Sequence, residues 1–341
     1  MDIFAGIDVA LEVSAVCVVD AEGRIVKEAK IASTPEGLTQ FFQALSARPC
    51  RIGLEAGALS QWLYAGLRGS GFEAVLMETR QVKDAFKSNP VKTDRKDAQG
   101  LAQLVRLDWF KPVHCKSLGA QRMRALLRAR ATLRQKRHDI AMTIRGLLRS
   151  FGLKMGRVSA GRFTARVREL AQDDVALWRP VEALLKARTA LNEEFRRLDG
   201  DVRRLARSDE RVRLAMTAPG VGPVVGLTFV SALDEASRFR RSRRVGAYFG
   251  LTQKKHQTGQ VDITGRISKC GDHEARVALY EAAHIILTHP VKGGALKSWA
   301  ARLAKRAGAK KAKVALARKL AVILHRMLMD GTAFEASKAA A

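Results

Sequence analysis

The order of strand-like and helix-like segments over the first 110 residues is the feature that most restricts the fold of this chain. Three apolar segments of strand length come first, and helix, strand, helix, strand and helix follow. In chain order the segments are IFAGIDVA, SAVCVVD, IVKEAKIA, TPEGLTQFFQALSA, CRIGLEA, ALSQWLYAGLRGSG, EAVLME and a helix from Asp94 to Phe110. Thr34 and Pro35 are typical of an N-cap and a first helical position, so they mark the start of the first helix. This order predicts a mixed α/β domain.

The predicted order favours a sheet of the ribonuclease H or RuvC type over residues 1–112, with the first and fourth strands as neighbours. Residues 113–210 are predicted as a basic helical or coiled-coil segment, and residues 211–341 as a mostly α-helical C-terminal domain. Leucine, valine and phenylalanine recur at heptad spacing between residues 184 and 205, interrupted by Arg188. The repeat predicts a short antiparallel helix pair or a coiled coil that could mediate self-association. A single helix packed within the chain fits so few heptads nearly as well.

The charge balance predicts a polyanionic partner. The chain carries 61 Lys and Arg against 33 Asp and Glu, a formal net charge of +28, and such self-repulsion needs a compensating ligand. No segment reaches the roughly 18 apolar residues of a membrane span, and the N-terminus lacks the pattern of a secretory signal. The four cysteines are scattered, and Cys270 with His273 supplies too few ligands for a zinc site. We therefore expect a cytoplasmic, nucleoid-associated protein that binds nucleic acid and no membrane.

Four acidic residues stand out in this basic chain. Asp8 lies in an otherwise apolar strand and Glu55 ends another, where a charge is costly unless something compensates it. Asp94 and Asp97 lie three residues apart at a helix start, where the helix dipole alone would also favour acids. If the two strands are neighbours, all four carboxylates can meet at one end of the sheet. Such a cluster needs a cation, and its oxygen ligands select Mg²⁺ or Mn²⁺, ions that support phosphodiester transfer.

Basic side chains and glycine-containing turns are the candidate contacts to nucleic acid. The segment from Arg122 to Arg149 is strongly basic. The PGVG turn within TAPGVGPVVGLTFVSAL is similar to a helix–hairpin–helix turn, whose backbone N–H groups can hold a phosphate, although such turns are also common without one. The candidate contacts are Lys92, Arg95, Lys96, Arg122, Arg128, Arg134, Arg137, Gly220, Gly222, Lys254 and Lys255.

Six motifs in combination resemble those of the DEDD insertion-sequence transposases. They are GIDVA, GLEAGALS, KTDRKDA, TAPGVGPV, FRRSRRVGAYFGLTQKKHQTGQ and GRISKCGD, and the resemblance runs from Gly6 to about Ala336. It implies a RuvC-like N-terminal domain, a helical C-terminal transposase domain, and the four acids as a metal-binding tetrad. It further implies cutting and rejoining of donor and target DNA under the guidance of a structured RNA encoded by the element. The assembly implied is a dimer or tetramer in which the two kinds of domain, from different protomers, complete one site.

The chain departs from the family pattern at the nucleophile. Members of the family carry a nucleophilic serine in a Ser-Gly motif, and the matching stretch KKHQTGQ places Thr258 before Gly259. Threonine offers the same hydroxyl with an added methyl group, so attack on phosphorus remains chemically available but more crowded. The alternatives are that Thr258 only makes a turn hydrogen bond, or that Ser268 in GRISK is the nucleophile.

Two other functions fit part of the pattern. A Holliday-junction resolvase would share the RuvC-like fold and the carboxylates and would cut with a metal-activated water, but it would not need the region from Thr217 onward. A non-catalytic basic scaffold that binds nucleic acid would not need the four acids. A DEDD exonuclease is disfavoured because it would want an acid two residues after Asp8, and position 10 is Ala10.

Overall fold

The structure is a computed structural model, and it describes residues 2–87, 91–290 and 294–336. It divides into two compact units, Met1–Lys116 and Ser117–Ala341. The basic helical segment after residue 116 therefore packs with the C-terminal region in one unit. Over the described residues, none of the helices has the length and apolar character needed to cross a membrane.

The first unit is built on a five-stranded sheet. Its strands are β1 (Ile3–Asp8), β2 (Val13–Asp20), β3 (Ile25–Ala32), β4 (Arg51–Glu55) and β5 (Ala74–Met77), in the spatial order β3-β2-β1-β4-β5. The first three strands pair antiparallel, whereas β1, β4 and β5 run parallel. The first and fourth strands are thus neighbours, and the predicted ribonuclease H type of sheet is confirmed.

In the described part of this unit, four helices accompany the sheet. They are α1 (Pro35–Gln43), α2 (Ser60–Gly69), α3 (Thr79–Ala85) and α4 (Asp94–Arg106). The Thr34 hydroxyl accepts a hydrogen bond from the Gly37 amide at 3.1 Å, which confirms the predicted cap of α1. Helix α3 was not predicted, because its sequence was interpreted as part of a basic loop, of which residues 88–90 lie outside the described residues. Helix α4 ends four residues before the predicted Phe110, since Asp108 adopts a left-handed φ of 50°.

Helix α4 lies directly on β1, and this close packing is possible because Gly6 has no side chain. A Cβ atom at position 6 would stand 2.3 Å from both the carbonyl oxygen of Ala98 and the amide nitrogen of Ala102. Both contacts are backbone atoms, so no side-chain rotation can relieve them. The strand that ends at Asp8 and the helix that begins at Asp94 are therefore held together by a position that only glycine fits.

Replacing Gly6 by Ala is expected to destabilise the first unit by about 1–3 kcal/mol, the usual range for an overpacked core position. We expect the midpoint of thermal unfolding to fall by several degrees, measured by circular dichroism. Gly69→Ala is the matched control, because a Cβ there would meet no atom within 4 Å. Equal melting temperatures for the two variants would show that the close packing of α4 on β1 is not rigid.

The second unit is mostly helical, as predicted. Its helices are α5 (Leu118–Ser150), α6 (Phe163–Ala171), α7 (Val175–Ser208), α8 (Glu210–Ala215), α9 (Pro223–Leu233), α10 (Arg243–Tyr248), α11 (His273–Thr288), α12 (Gly294–Ala307) and α13 (Ala309–Asp330). A hairpin that the sequence did not reveal, β6 (Gln253–Thr258) and β7 (Val261–Ile267), lies between α10 and α11. Every residue of helix α9 from Val225 to Leu233 is buried, which explains its nearly continuous apolar sequence.

Helices α5 and α7 pack as an antiparallel pair within the chain. Arg130 of α5 donates to Asp199 of α7 at 2.7 Å, and Arg137, two turns later on α5, donates to Asn192, two turns earlier on α7. Both guanidinium groups also stack on Phe195, at 4.9 and 4.3 Å from the ring centre. The heptad pattern on α7 therefore serves packing against α5.

Lowering the pH should weaken the packing of α5 on α7, because Asp199 loses its charge. Burial raises the pKa of the Asp199 carboxyl, but hydrogen bonds and charge from Arg130 and Arg203 outweigh it and hold the pKa below its usual range. A depressed folded-state pKa stabilises the fold above the unfolded-state pKa of about 3.9, and this stabilisation is lost as the pH falls through the folded-state pKa. In urea titrations Asp199→Asn should therefore lower the free energy of unfolding at pH 7 and lower it less at pH 3. The exposed Asp173→Asn is the control, and an Asp199→Asn deficit that does not shrink at low pH would contradict the ion-pair account.

Candidate active site

The sheet brings Asp8 and Glu55 side by side. Asp8 is the last residue of β1 and Glu55 the last residue of β4. These strands run parallel with Ile7 opposite Leu54, so the next residue on each strand is one of the two acids. Both side chains are half-buried at the carboxyl edge of the sheet. This is the meeting of strand ends that the sequence predicted.

The first turn of α4 supplies the other two acids. The Thr93 side chain caps this helix by accepting a hydrogen bond from the Lys96 amide at 3.3 Å, which fixes Asp94 as the first helical residue. Asp94 is exposed, whereas the side chain of Asp97 is only 15% exposed. The ammonium group of Lys92 lies 3.9 Å from the Asp97 carboxylate.

The four acids share one electrostatic environment. Burial, followed by the negative charges of Asp97, Asp94 and Glu55, raises the pKa of Asp8 to about 6, against a smaller opposing effect of Lys92. Burial also raises the pKa of Glu55, an effect opposed by Thr79 and Lys92. Each acid predicted from the sequence therefore lies close enough to Asp8 to disfavour its ionisation.

The donor set suits a hard divalent cation. Carboxylate oxygens are the ligands that Mg²⁺ and Mn²⁺ prefer, and a cation among these four would relieve their mutual repulsion. Over residues 2–87, 91–290 and 294–336, however, no three His, Cys, Asp or Glu side chains are arranged closely enough to hold a metal ion. The acids thus converge at electrostatic range without forming a finished coordination shell.

Thr258 and Ser268 belong to the second unit. Thr258 ends β6 and is exposed, next to the two-residue turn formed by Gly259 and Gln260. Gly259 has a φ of 55°, which suits the first central residue of a type II′ hairpin turn, so local geometry accounts for the glycine. Ser268 is half-buried, and its hydroxyl accepts a hydrogen bond from the Cys270 amide at 3.4 Å. Thr258 is therefore the more accessible hydroxyl of the two.

The predicted nucleic-acid contacts differ in how free they are. Lys92, Lys96, Arg122, Arg134 and Lys254 are exposed. Four others already contact their own chain, and these pairs are Arg95 with Glu28, Arg128 with Glu274, Arg137 with Asn192, and Lys255 with Asp262. The exposed pair of Lys255 with Asp262 contributes little to stability and can exchange for a phosphate, whereas Arg137 is half-buried against Phe195 and is less free.

The two glycines of the PGVG turn differ in their surroundings. Gly220 has a φ of 74°, and a Cβ atom there would stand 2.6 Å from the carbonyl oxygen of Ala282. Packing of the turn on α11 therefore explains Gly220 without a phosphate. Gly222 is the N-cap of α9, and a Cβ atom there would meet no atom within 4 Å.

Sequence reasoning missed Thr79 at this site. Thr79 begins helix α3, and its hydroxyl donates to the carbonyl oxygen of Ala56 at 3.0 Å. It also lies within reach of the Glu55 carboxylate and partly offsets the rise in the pKa of that group. The signal was available in the sequence, because Thr79 directly follows the predicted strand EAVLME at the same edge of the sheet as Glu55.

A sheet of this order, with acids ending its first and fourth strands, defines a ribonuclease H-like unit joined to a helical one. A family model described as "Transposase" matches residues 5–152, and one described as "Transposase IS116/IS110/IS902 family" matches residues 212–297. Together they span more than half of the chain. The chain belongs to this family of insertion-sequence transposases.

Relatives match over nearly the whole chain. The "Transposase for insertion sequence element IS1111A" of Coxiella burnetii is 29% identical over 95% of this chain and 88% of the relative. A Pseudomonas aeruginosa protein named "Probable family 20 transposase" is 28% identical over 96% of this chain and 97% of the relative. Among solved structures, RuvC of Thermus thermophilus covers 33% of this chain and 99% of its own, at 16% identity and a TM-score of 0.27.

Proposed function

We propose that this transposase cuts and rejoins donor and target DNA by metal-dependent phosphoryl transfer. The convergence of Asp8, Glu55, Asp94 and Asp97 at one edge of the sheet carries the proposal. Burial beside the other three acids disfavours the ionised form of Asp8, and this cost has an explanation if the cluster holds a cation. A carboxyl group with a raised pKa is typical of an active site.

The four acids would hold Mg²⁺ or Mn²⁺, which when bound stabilises charge on the attacking and leaving oxygens of a phosphodiester. The residues of the chain do the positioning. Gly6 lets α4 reach β1 and so holds Asp94 and Asp97 near Asp8. Lys92 is exposed beside Asp97 and can contact a DNA phosphate next to the acids.

The attacking group in this proposal is the hydroxyl of Thr258. Its oxygen forms a bond to phosphorus and gives up its proton, while the bond from phosphorus to the departing sugar oxygen breaks and leaves a strand end with a free hydroxyl. The strand then remains bound to the protein as a phosphothreonine until rejoining. Lys254 and Lys255, on the same strand, can draw in the scissile phosphate.

DNA and a structured guide RNA are the proposed partners, and a homo-oligomer is the proposed assembly. A formal net charge of +28 supports contact with many phosphates. The family resemblance supports the RNA and the dimer or tetramer. Sequencing the nucleic acid that copurifies with the protein tests the RNA: a discrete structured RNA encoded beside the gene is expected, and fragments of total RNA alone would remove guidance from the proposal.

Metal removal tests the chemistry. Strand cleavage of a plasmid carrying the element ends, with the copurified RNA retained, should stop in EDTA and return with Mg²⁺ or Mn²⁺. Binding of the same DNA should persist in EDTA, because phosphate contacts to lysine and arginine need no divalent ion. Cleavage that continues at its full rate in EDTA would exclude the metal-dependent mechanism.

A further inference from the structure

A cavity of about 470 Å³ in the second unit is lined by an unusual number of cations. It is formed by α5, α7 and part of the segment between α5 and α6. Its basic side chains are Arg134, Arg137, His138, Arg188 and Arg196. None of the described residues that line it is acidic.

Several arginines elsewhere on the same two helices have acidic partners. Arg130 and Arg203 bind Asp199, Arg197 binds Glu194, and Arg204 binds Asp201. Two arginines of the cavity have no such partner. Arg134 and Arg196 are exposed and make no ion pair within the described part of the chain. Arg179 of α7 likewise makes no ion pair within the described residues, so what distinguishes the cavity is the grouping of its cations without an acid.

Arg188 makes the cavity costly in the absence of a ligand. It stands at a heptad position where a leucine would fit, with its guanidinium 4.3 Å from the ring centre of Phe163. Its Nε atom is buried without a hydrogen-bond partner. Burial and the nearby charge of Arg137 lower the pKa of Arg188, so its charged form is disfavoured. An anion in the cavity would supply the missing partner.

The chemistry of the lining selects a phosphodiester and one attached nucleotide. Guanidinium groups bind phosphate in a bidentate manner, and their planar faces stack on bases. The volume lies in the range of about 300–1,000 Å³ typical of small-ligand pockets, which is more than one phosphate group needs. Asn192 lies in the lining, and its NH₂ group can donate to a base edge while its Oδ1 accepts from Arg137. A paired duplex must unpair and flip out a nucleotide to insert it into a concave site, whereas an unpaired strand has no such cost.

We propose that this arginine cavity binds one nucleotide of an unpaired nucleic-acid strand, holding its phosphodiester between α5 and α7. The inference rests on the proposed function only in taking nucleic acid as the partner. RNA and DNA strands share the phosphodiester chemistry, so the experiment includes both.

Binding of fluorescein-labelled hexanucleotides, in RNA and DNA versions of one sequence, tests the cavity by fluorescence anisotropy at 150 mM salt. The cavity variant is R134Q/R196Q, and both residues are exposed, so the substitutions leave the core intact. The control is K136Q/R179Q, which removes two exposed charges from the same two helices outside the cavity. We expect the cavity variant to bind at least one hexanucleotide on the order of tenfold more weakly, and the control to lose less than twofold.

A 12-base-pair DNA duplex provides the second comparison, and the two variants should weaken it equally. A larger loss for the RNA hexanucleotide would assign the cavity to the guide, and a larger loss for DNA would assign it to a displaced strand. Equal loss of hexanucleotide binding by both variants, or no loss by either, overturns the proposal. Metal-dependent strand cleavage by the wild-type protein is measured separately. A negative result for nucleotide binding in the cavity would therefore leave the proposed function standing.

Discussion

Replacing Asp8 by Asn, Glu55 by Gln or Asp97 by Asn is expected to reduce strand cleavage on the order of a thousandfold or more, about 4 kcal/mol of transition-state stabilisation. Each change keeps the size of the side chain and removes a negative oxygen from the edge of the sheet. Nicking of a plasmid that carries the element ends, followed over time, measures the loss. DNA binding should stay within a few-fold of the wild type, since these acids do not neutralise phosphate.

Controls separate this loss from misfolding. Glu36→Gln and Asp84→Asn remove exposed acids from the same unit and should cleave normally. In EDTA, Asp8→Asn should melt no lower than the wild type, and we expect a slightly higher melting temperature, because the ionised carboxylate is disfavoured among three other acids. Recombination at the wild-type rate by a variant that combines Asp8→Asn, Glu55→Gln and Asp97→Asn would refute the role of the acids.

Thr258→Ala is expected to abolish covalent attachment of the protein to DNA, whereas Thr258→Ser should remain active and be faster. Serine keeps the attacking hydroxyl and removes the methyl group that crowds it. A nicked suicide substrate, which traps the attached intermediate, followed by peptide mapping, should place the adduct on Thr258. Thr264→Ala, on the facing strand of the same hairpin, is the control and should still form the adduct.

The mapped peptide also decides between the alternatives. An adduct on Ser268 would transfer the role of nucleophile to that residue. Cleavage without any adduct would favour hydrolysis by a metal-activated water, as in a resolvase. Either result removes Thr258 from the mechanism without touching the role assigned to the four acids.

The first unit could be predicted well because its sequence signals are local. Apolar runs, the Thr34 cap and the glycine-terminated helix α2 each report one element, and their order restricts the sheet. Asp8 was informative for a physical reason. A charge in an apolar strand needs compensation, and burial together with the neighbouring acids raises the pKa of Asp8 to about 6.

The β6–β7 hairpin could not be predicted in the same way. Strand β6 is wholly polar and exposed, so it shows no alternation of apolar and polar positions. Strand β7 does place Val261, Ile263 and Ile267 at alternate positions, but nearly all of it is exposed and this short signal was missed. The left-handed backbone at Asp108, which ends α4, also gave no clear signal.

The arginine cavity required the folded helix pair. Arg188 was visible in the sequence only as an interruption of the heptads. That other cations surround it, and that no described acid lines the cavity, depends on residues up to 62 positions apart along the chain, from Arg134 to Arg196.

Binding of Mn²⁺ to the whole protein, followed by electron paramagnetic resonance of the free ion, tests the central claim most directly. The account predicts that the wild type binds Mn²⁺ tightly, that Asp8→Asn/Glu55→Gln loses this binding, and that Asp84→Asn/Glu36→Gln keeps it. Equal Mn²⁺ binding by the wild type and Asp8→Asn/Glu55→Gln would contradict the assignment of the four acids as the metal site.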